Sequence, residues 1–242
     1  NVLGVEKTMA ENDSAYDVSE ASYLGSNFLV KKNSSFSIDN GIDSKDLVDI
    51  NKYKNFTQNM ELYGYLVEDT SQVNNSVLES KGISSSRGKY EFDCIITGID
   101  SLRQEELKDK GILSSEDIKS MGQENQVYAV TNNFYYDGQT NKYQKFLKSL
   151  KDGQIVYIKL PCIKDGLQTY KLLPVKLIPN KKPKATIEER TASNSSTVEI
   201  MFDLNRLKSL TNTSTVSAIR FDVTSSDEAN LVKSRLSSRF EV

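Results

Sequence analysis

Residues 197–240 constrain the fold of this chain most, because the spacing of apolar residues changes there from that of a strand to that of a helix. Val198, Ile200 and Phe202 occupy every second position, which predicts a half-buried strand. Asp203 follows directly and is a suitable N-cap for a short helix. The apolar stripe of this helix consists of Leu204, Leu207 and Leu210.

The same change of spacing occurs a second time before residue 240. Ile219, Phe221 and Val223 alternate with polar residues and predict a second strand. Ser225 and Glu228 have the spacing of a capping box, which predicts the start of a second helix. The apolar residues of this second helix are Ala229, Val232, Leu236 and Phe240. The order strand, helix, strand, helix predicts a compact βαβα half-domain, whose sheet needs a matching half from elsewhere in the chain.

Residues 20–67 are predicted to supply the matching half. The segment from Tyr23 to Lys31 has the composition of a strand, and a second strand is predicted from Met60 to Val67. Between them, Ile42 to Phe56 carries an apolar stripe behind Asp43, which is a suitable N-cap, and is predicted to be a helix. The matching half therefore has the order strand, helix, strand.

The central part of the chain is predicted to be richer in strands. Two polar crossings bound it, Asp69 to Gly88 and Pro179 to Ser196, and their content of Ser, Asn, Lys and Pro is typical of loops. The predicted elements between them are a strand from Tyr90 to Gly98, a helix from Ser101 to Lys110 ended by Gly111, a helix capped by Ser115 and reaching Met121, a strand from Val127 to Val130, a hairpin from Phe134 to Lys142, a helix from Tyr143 to Leu150, and strands from Ile155 to Leu160 and from Tyr170 to Ile178 around a turn at Lys164.

These patterns together predict an α+β fold with two lobes. One lobe is discontinuous and of a βαβ sandwich type, and it consists of residues 21–85 and 190–242. The other lobe is strand-rich, consists of residues 86–189, and is inserted into the first. Residues 1–20 form a lead-in segment, for which a short helix and a disordered arm fit equally well.

The absence of histidine limits the chemistry that this chain can perform. It removes the Ser-His and Cys-His nucleophile systems together with the usual ligands of catalytic zinc. The carboxylate pairs that could act as acid and base are Glu105/Glu106, Asp93/Asp100 and Glu188/Glu189. Adjacent carboxylates are usually solvated charge, and no pattern predicts a pocket around them. We therefore predict that the chain is not an enzyme, with no catalytic residue and no cofactor.

An oxygen-rich segment near residue 40 is the strongest candidate for a metal site. Asp39, Asn40, Asp43 and Asp46 are close in sequence, but they lack the twelve-residue pattern of a calcium loop. The same residues are well suited to turns and helix caps. We therefore predict no metal site.

Composition excludes two further classes of partner or location. The net charge is −2 with both signs interspersed, which predicts no nucleic-acid partner. No apolar run approaches the ~20 residues of a membrane span. Cys94 and Cys162 lie within apolar runs, which favours buried free thiols over a disulfide. Since Asn1 is not an initiator methionine, the chain is expected to be either a mature secreted product or an excised segment.

Three consecutive aromatic residues form the candidate contact site. Phe134, Tyr135 and Tyr136 precede Asp137-Gly138 in the predicted hairpin. Exposed aromatics at a hairpin tip favour binding to a partner. Packing of at least one ring into the core is the alternative that the sequence leaves open.

Four stretches occur in an order that is typical of one protein family. The first is Ile42 to Phe56, and the second is the Gly-hydrophobic-Asp turn of Ile96 to Asp100 followed by Gly111 to Val130. The third is the Gly-led strand pair of Lys151 to Ile155 and Tyr170 to Ile178, and the fourth is the closing strand, helix, strand and helix of Phe202 to Phe240. In this order they resemble the large extracytoplasmic domain, the MacB-like periplasmic core, of MacB/FtsX-type ABC transporter permeases. The Gly-Arg pair that is usual in the family is replaced here by Gly111-Ile112.

The resemblance implies a domain at the extracellular face of the cell membrane of a Gram-positive bacterium. Such a domain transmits ATP-driven motion from a cytoplasmic ATP-binding subunit to an external substrate or partner, in export of or resistance to antimicrobial compounds or peptides. An accessory membrane-fusion-type protein or a peptide substrate is a further implied partner, and the full transporter is implied to be a dimer.

The resemblance also assigns roles to the parts of the predicted fold. The βαβ lobe corresponds to a porter-like lobe, and residues 1–20 correspond to a membrane-proximal lead-in. The insertion of one predicted lobe into the other lets the two polar crossings act as hinges. The larger permeases of Gram-positive exporters, which carry a similarly placed external domain, are a second branch consistent with these motifs. The alternative outside this family is a secreted or surface-anchored binding protein of α+β fold with no transporter role.

Overall fold

The computed structural model contains a nine-stranded sheet with helices packed against it, and the α+β class predicted from the sequence is confirmed. The structure describes residues 28–32, 38–67, 91–122, 128–132, 146, 149, 151, 153–180, 198–238 and 240–242. Within these residues the strands are β1 (Phe28–Lys32), β2 (Lys54–Val67), β3 (Glu91–Ile99), β4 (Tyr128–Asn132), β5 (Ile155–Lys164), β6 (Leu167–Asn180), β7 (Val198–Asp203), β8 (Ala218–Asp222) and β9 (Phe240–Glu241). The helices are α1 (Ser101–Asp109), α2 (Ser115–Met121), α3 (Leu204–Thr211) and α4 (Ser226–Leu236).

Six of these strands form a closed ring of backbone hydrogen bonds. The ring runs β2, β3, β7, β4, β6, β5 and back to β2. The pairs β3–β7 and β4–β6 are parallel, and the other four pairs are antiparallel. Because each strand of the ring is paired on both sides over part of its length, the ring protects these edges from solvent and from other chains.

Strand β2 belongs both to the ring and to the rest of the sheet. Its second half pairs with β3 and β5, whereas its first half pairs with β8, with Gln58 opposite Ile219. Strand β8 in turn pairs with β1, and β1 pairs with β9. The predicted proximity of the Met60 to Val67 strand to the strand at Ile219 is confirmed, since both lie in the same sheet. The boundaries of the two predicted lobes stay a prediction.

Most buried apolar side chains form one core that continues across the whole sheet. Its members on the strands include Phe28, Val30, Met60, Leu62, Leu66, Cys94, Ile96, Ile158, Leu160, Ile200, Phe202, Ile219 and Phe221. Helices α3 and α4 cover this core with Leu204 and Leu207, and with Ala229, Val232 and Leu236. A smaller cluster under α1 and α2 contains Ile99, Leu107, Ile112, Leu113, Met121 and Met201.

The elements predicted between residues 198 and 236 are confirmed together with their capping residues. The Asp203 side chain accepts a hydrogen bond from Arg206 N and begins α3, and Ser225 accepts one from Glu228 N and begins α4. Asn212, in the left-handed conformation, ends α3. The prediction that α4 extends to Phe240 is wrong.

The helix stops at Leu236 because the chain reverses to add one more strand to the sheet edge. Phe240 begins β9 and lies opposite Lys32 of β1. Its side chain is still buried in the core, so the apolar periodicity signalled burial correctly but not the type of element. The last residues of the chain therefore lie beside its first described strand.

The helix predicted from Ile42 to Phe56 is wrong, although its capping residues act as expected. Asp43 Oδ1 accepts from Lys45 N at 2.9 Å, and Asp46 Oδ2 accepts from Asp43 N at 3.0 Å. The first turn does not propagate, since Asp49 has a left-handed backbone with φ of 66°. A single 3-10 turn follows at Ile50–Lys52.

Tertiary pairing explains why this segment leaves the helical conformation. Ile42 is fully buried and exchanges backbone hydrogen bonds with Val216, each of 2.9 Å. Strand β2 then begins at Lys54 and aligns with β8. A local preference for helix is worth only tenths of a kcal/mol per residue, about 0.7 at most for ordinary residues, and long-range pairing outweighs it.

The predicted elements of the central segment agree with the structure where they are described. The strands near Phe92, Val130, Val156 and Val175 and the helices α1 and α2 are confirmed. The cap of α2 is Ser114 and not Ser115, because Ser114 and Asp117 form a reciprocal capping box. The hairpin from Phe134 to Lys142, both polar crossings, residues 1–20 and most of the helix from Tyr143 lie outside the described residues.

Asp100 joins the end of β3 to its neighbours. One carboxylate oxygen accepts from Thr57 Oγ1 at 2.5 Å and from Arg103 N at 3.1 Å, and the other accepts from Gln58 N at 2.8 Å. Asp100 thus caps α1 and at the same time binds the first half of β2. Two positions earlier, Gly98 admits α3, because a Cβ there would lie 3.0 Å from Leu207 Cδ2. The Gly-hydrophobic-Asp turn of the sequence is therefore a junction of four elements.

Replacement of Asp100 with alanine is expected to lower the free energy of unfolding by about 2 kcal/mol, because a helix cap and two hydrogen bonds to β2 are lost together. Urea unfolding followed by circular dichroism measures this. Ser114→Ala is the matched control, since Ser114 caps the exposed start of α2 without a bond to another strand, and about 1 kcal/mol is expected there. Equal losses in the two variants would contradict a joining role for Asp100.

Candidate functional site

A cleft of about 740 Å³ opens between the β5–β6 hairpin and the C-terminal end of α3. The hairpin contributes Cys162, Lys164, Thr169 and Lys171, and Leu210 lies on the α3 side. A cleft of this size is in the range that accommodates a small ligand or a few side chains of a peptide. It is the candidate functional site in the described part of the chain.

Local backbone conformation forms the hairpin end of the cleft. Asp165 and Gly166 both have positive φ, 53° and 73°, which produces the tight turn between β5 and β6. The turn Lys164-Asp165-Gly166 was predicted from the sequence and is confirmed. The two strands then stay in register, with Cys162 opposite Thr169. The side chains that line the cleft are therefore held on a paired backbone.

Contacts across the cleft hold the hairpin against the rest of the fold. Asn212 Nδ2 donates to Ile163 O at 3.1 Å. On the other strand of the hairpin, Gln168 Oε1 accepts from Ile38 N at 2.8 Å, and Ile38 O accepts from Thr215 Oγ1 at 3.0 Å. The hairpin is thus fixed to α3 and to the connection that leads into β8.

Two lysines give the cleft its charge. Burial raises the pKa of the Cys162 thiol, and the nearby ammonium groups of Lys171 and Lys164 oppose that rise. Both lysines line the same cleft as this thiol. Within the described residues neither lysine forms an ion pair, and Asp165 in the turn is the acidic residue of the lining. The lining carries a net positive charge.

The two cysteines differ in access, although both are buried free thiols as predicted. Cys94 is 1% exposed inside the core, and Cys162 is 7% exposed at the cleft. Burial raises the pKa of Cys94, with the Asp93 carboxylate adding to the rise, whereas two lysines oppose the rise at Cys162. Neither thiol is an activated nucleophile.

A thiol reagent is expected to modify Cys162 faster than Cys94, by about tenfold, because Cys162 faces a cleft and has cations nearby. Mass spectrometry of the folded chain, sampled over time with a maleimide, measures both rates. The Cys162→Ser variant serves as the control and should show the slow phase alone. Equal rates in the folded chain would contradict the difference in access.

Most of the acidic residues considered from the sequence have structural partners. Glu105 forms an ion pair with Lys108, and Glu106 forms one with Arg103, each at 3.6 Å. The two adjacent carboxylates therefore contact different basic residues. Burial raises the pKa of Glu106, and Arg103 opposes that rise. Glu188 and Glu189 lie outside the described residues. The structure gives Asp43, Asp46 and Asp100 roles in turns and caps, as described above.

The aromatic residues predicted to contact a partner lie outside the described residues, so Phe134, Tyr135 and Tyr136 remain a prediction. Among the described residues no three His, Cys, Asp or Glu side chains are grouped so that they could hold a metal ion. None of the described helices is both long and apolar enough to cross a membrane.

Comparison with known proteins gives one structural neighbour to report. No family model matches the chain, and no curated protein matches it in sequence. The chain is similar in structure to the extracellular domain of the noncanonic ABC-type transporter YknZ from Gram-positive bacteria, over 84% of this chain and 86% of that chain, with a TM-score of 0.41 and 12% identity. This neighbour is of the class predicted from the sequence. A TM-score at this level carries no argument, so function is inferred from the residues and strand pairings themselves.

Sequence reasoning did not find the cleft. Its two sides are separated by about forty residues, and no motif links Lys171 to Asn212. The turn at Asp165 was identified, but nothing in the sequence indicates that α3 packs beside it. The one sequence signal for a binding site was the presence of several lysines in two strands of alternating apolar residues. This pattern by itself is typical of a sheet edge exposed to solvent.

Proposed function

We propose that this chain is the extracellular domain of an ABC transporter permease of the MacB/FtsX type. In this role it transmits movement from membrane segments, driven by a cytoplasmic ATP-binding subunit, to a substrate or partner outside the cell. Export of antimicrobial compounds or peptides, and resistance to them, is the process in which we place it. The order of the four family-like stretches in the sequence supports the assignment.

The pairing of β1 with β9 is the observation that carries this proposal. Lys32 lies opposite Phe240, and Lys31 lies opposite Glu241, in antiparallel register. The start of β1 and the end of β9 therefore point toward the same end of the sheet. This is the geometry that a domain inserted between two membrane segments requires, because both connections must return to the same surface.

The hydrogen-bonded sheet supplies a route for the movement. A displacement of β1 and β9 acts on β8, which pairs with β1, and then on β2, which pairs with β8. Strand β2 is also a member of the closed ring. Movement of the two connections is thus passed to the ring through paired strands, without any chemical step in the domain.

Labelling in intact cells tests the location that the proposal requires. Leu231 on α4 is 65% exposed, so a cysteine at this position is accessible and costs little packing. The Leu231→Cys change is introduced into the full-length protein, which is expressed in its host. A membrane-impermeant maleimide added outside the cells is expected to react with this cysteine. Because a maleimide is expected to reach Cys162 in the cleft, the variant also carries Cys162→Ser, and the Cys162→Ser protein with Leu231 unchanged is the control.

The same preparation separates the proposal from its alternative. Recovery of the labelled protein from the membrane fraction together with ATP-hydrolysing activity is the expected result. Labelling that occurs only after cell lysis would contradict an extracellular location. Labelled protein that is released into the medium without associated ATPase would support the secreted binding protein instead.

A further inference from the structure

We propose that the cleft between the β5–β6 hairpin and α3 binds an acidic peptide segment, with a carboxylate between Lys164 and Lys171 and apolar side chains along the cleft wall. This proposal goes beyond the transmission of movement through the domain, because it assigns a class of ligand to a particular site. The occupant is a peptide from another molecule, and the chain itself supplies only the receiving surface.

Charge complementarity is the first reason for this choice. Lys164 and Lys171 both line the cleft, one from each strand of the hairpin. Neither is neutralised by an ion pair within the described residues. Two cations beside one acidic residue attract a carboxylate, and the partly enclosed walls strengthen that attraction relative to open water.

The apolar part of the lining is the second reason. Leu210 lines the cleft from the α3 side and is only partly buried, so it offers apolar surface to a ligand. Ser209 and Thr169 add hydroxyl groups beside this surface. An inorganic anion would leave Leu210 uncovered, whereas a peptide that carries apolar residues beside an acidic one matches both the charge and this apolar surface.

The position of the cleft favours a peptide over a lipid surface, and this step rests on the proposed function. Asn212 precedes β8 at the end of the strand where Ala218 pairs with Lys31, while the chain enters the sheet at the other end, where Phe28 pairs with Phe221. The cleft therefore lies toward the end of the sheet opposite the connections to the membrane. A ligand at this end arrives from outside and not from the bilayer.

Titration of the isotope-labelled 242-residue chain with three synthetic pentapeptides tests the proposal. The peptides are capped at both ends and alternate leucine with glutamate, with glutamine or with lysine. The glutamate peptide is expected to shift amide resonances of residues 162–172 and 209–212 in a saturable manner. Added salt should weaken the binding of this peptide. The Lys164→Gln/Lys171→Gln variant should bind it about tenfold more weakly, because two attractive charges are lost.

Matched variants and a lipid probe complete the test. Lys45→Gln/Lys119→Gln changes the net charge equally at two exposed positions away from the cleft, and it should bind the peptide as the parent does. Lys164→Arg/Lys171→Arg keeps both charges and should retain binding. Equal binding of the glutamine or lysine peptide, shifts confined to other residues, or absence of binding would overturn the proposal. Binding of phosphatidylglycerol vesicles in place of the acidic peptide would also overturn it, whatever the labelling of intact cells shows about location.

Discussion

Replacement of Gly64 with alanine is expected to lower the free energy of unfolding by about 3 kcal/mol, because the added methyl group has no space where β2 meets β5. A Cβ at this position would lie 2.5 Å from the Lys159 carbonyl oxygen and 2.7 Å from Ile96 Cδ1. Ile96 can adjust its side chain, but the carbonyl belongs to the backbone of β5, which pairs with β2 at the next residue, Tyr65. The backbone must therefore move, and it closes the ring at this point.

Gly122→Ala is the matched control for this experiment. Gly122 ends α2 with φ of −85°, which alanine adopts freely, and its added Cβ would meet its nearest neighbours at 3.7 and 3.8 Å. A change within about 0.5 kcal/mol is expected there. Urea unfolding monitored by circular dichroism gives both values. Similar midpoints for the Gly64 and Gly122 variants would show that β5 can shift away from β2 at little cost.

Replacement of Glu91 with glutamine is expected to cost about 3 kcal/mol, since it leaves a buried ammonium group without its carboxylate. Lys159 Nζ lies 2.5 Å from Glu91 Oε1, and the two side chains are only 2% and 5% exposed. The Tyr65 ring, 5.9 Å from the ammonium group, cannot replace the lost charge. Glutamine keeps the size of glutamate, so the measured loss reports charge and not packing.

A second variant and a surface pair make this test specific to the buried charge. Glu91→Gln/Lys159→Met removes both charges and is expected to recover most of the loss, because an apolar side chain suits the buried position. Asp49→Asn breaks the exposed pair between Asp49 and Lys52, which are 70% and 76% exposed, and no measurable change is expected. A double variant as unstable as Glu91→Gln alone would contradict the role assigned to the stranded ammonium group.

The sequence predicted the elements of this fold better than their arrangement. Strand and helix periods located β7, α3, β8 and most of α4, because each of these elements buries one regular face. At Asp43 the same reasoning gave a helix, since a cap signal is local and the pairing of Ile42 with Val216 is not. Pairing between strands depends on contacts across the whole chain, so the ring was not predicted.

The candidate site shows the same limit more sharply. Outside the cleft, Lys159 and Glu91 become a buried pair only when β2, β3 and β5 are placed side by side. Lys164 and Lys171 acquire a role only through the position of α3. The aromatic residues at 134–136, chosen for their place at a predicted hairpin tip, remain a prediction. Composition indicated which classes of chemistry to exclude, whereas the position of the cleft could be found only from the three-dimensional structure.

The order in which the ring strands leave the ribosome has a consequence for biogenesis. Strand β3 pairs with β7, which begins at Val198. The first half of β2 pairs with β8, which begins at Ala218, some 160 residues later in the chain. Long-range pairing of this kind is slow, and incompletely paired strands are prone to associate with other chains. The sheet can therefore be completed only after residues 198–222 are available for pairing, and until then the earlier strands β2 and β3 keep edges that other chains could pair with.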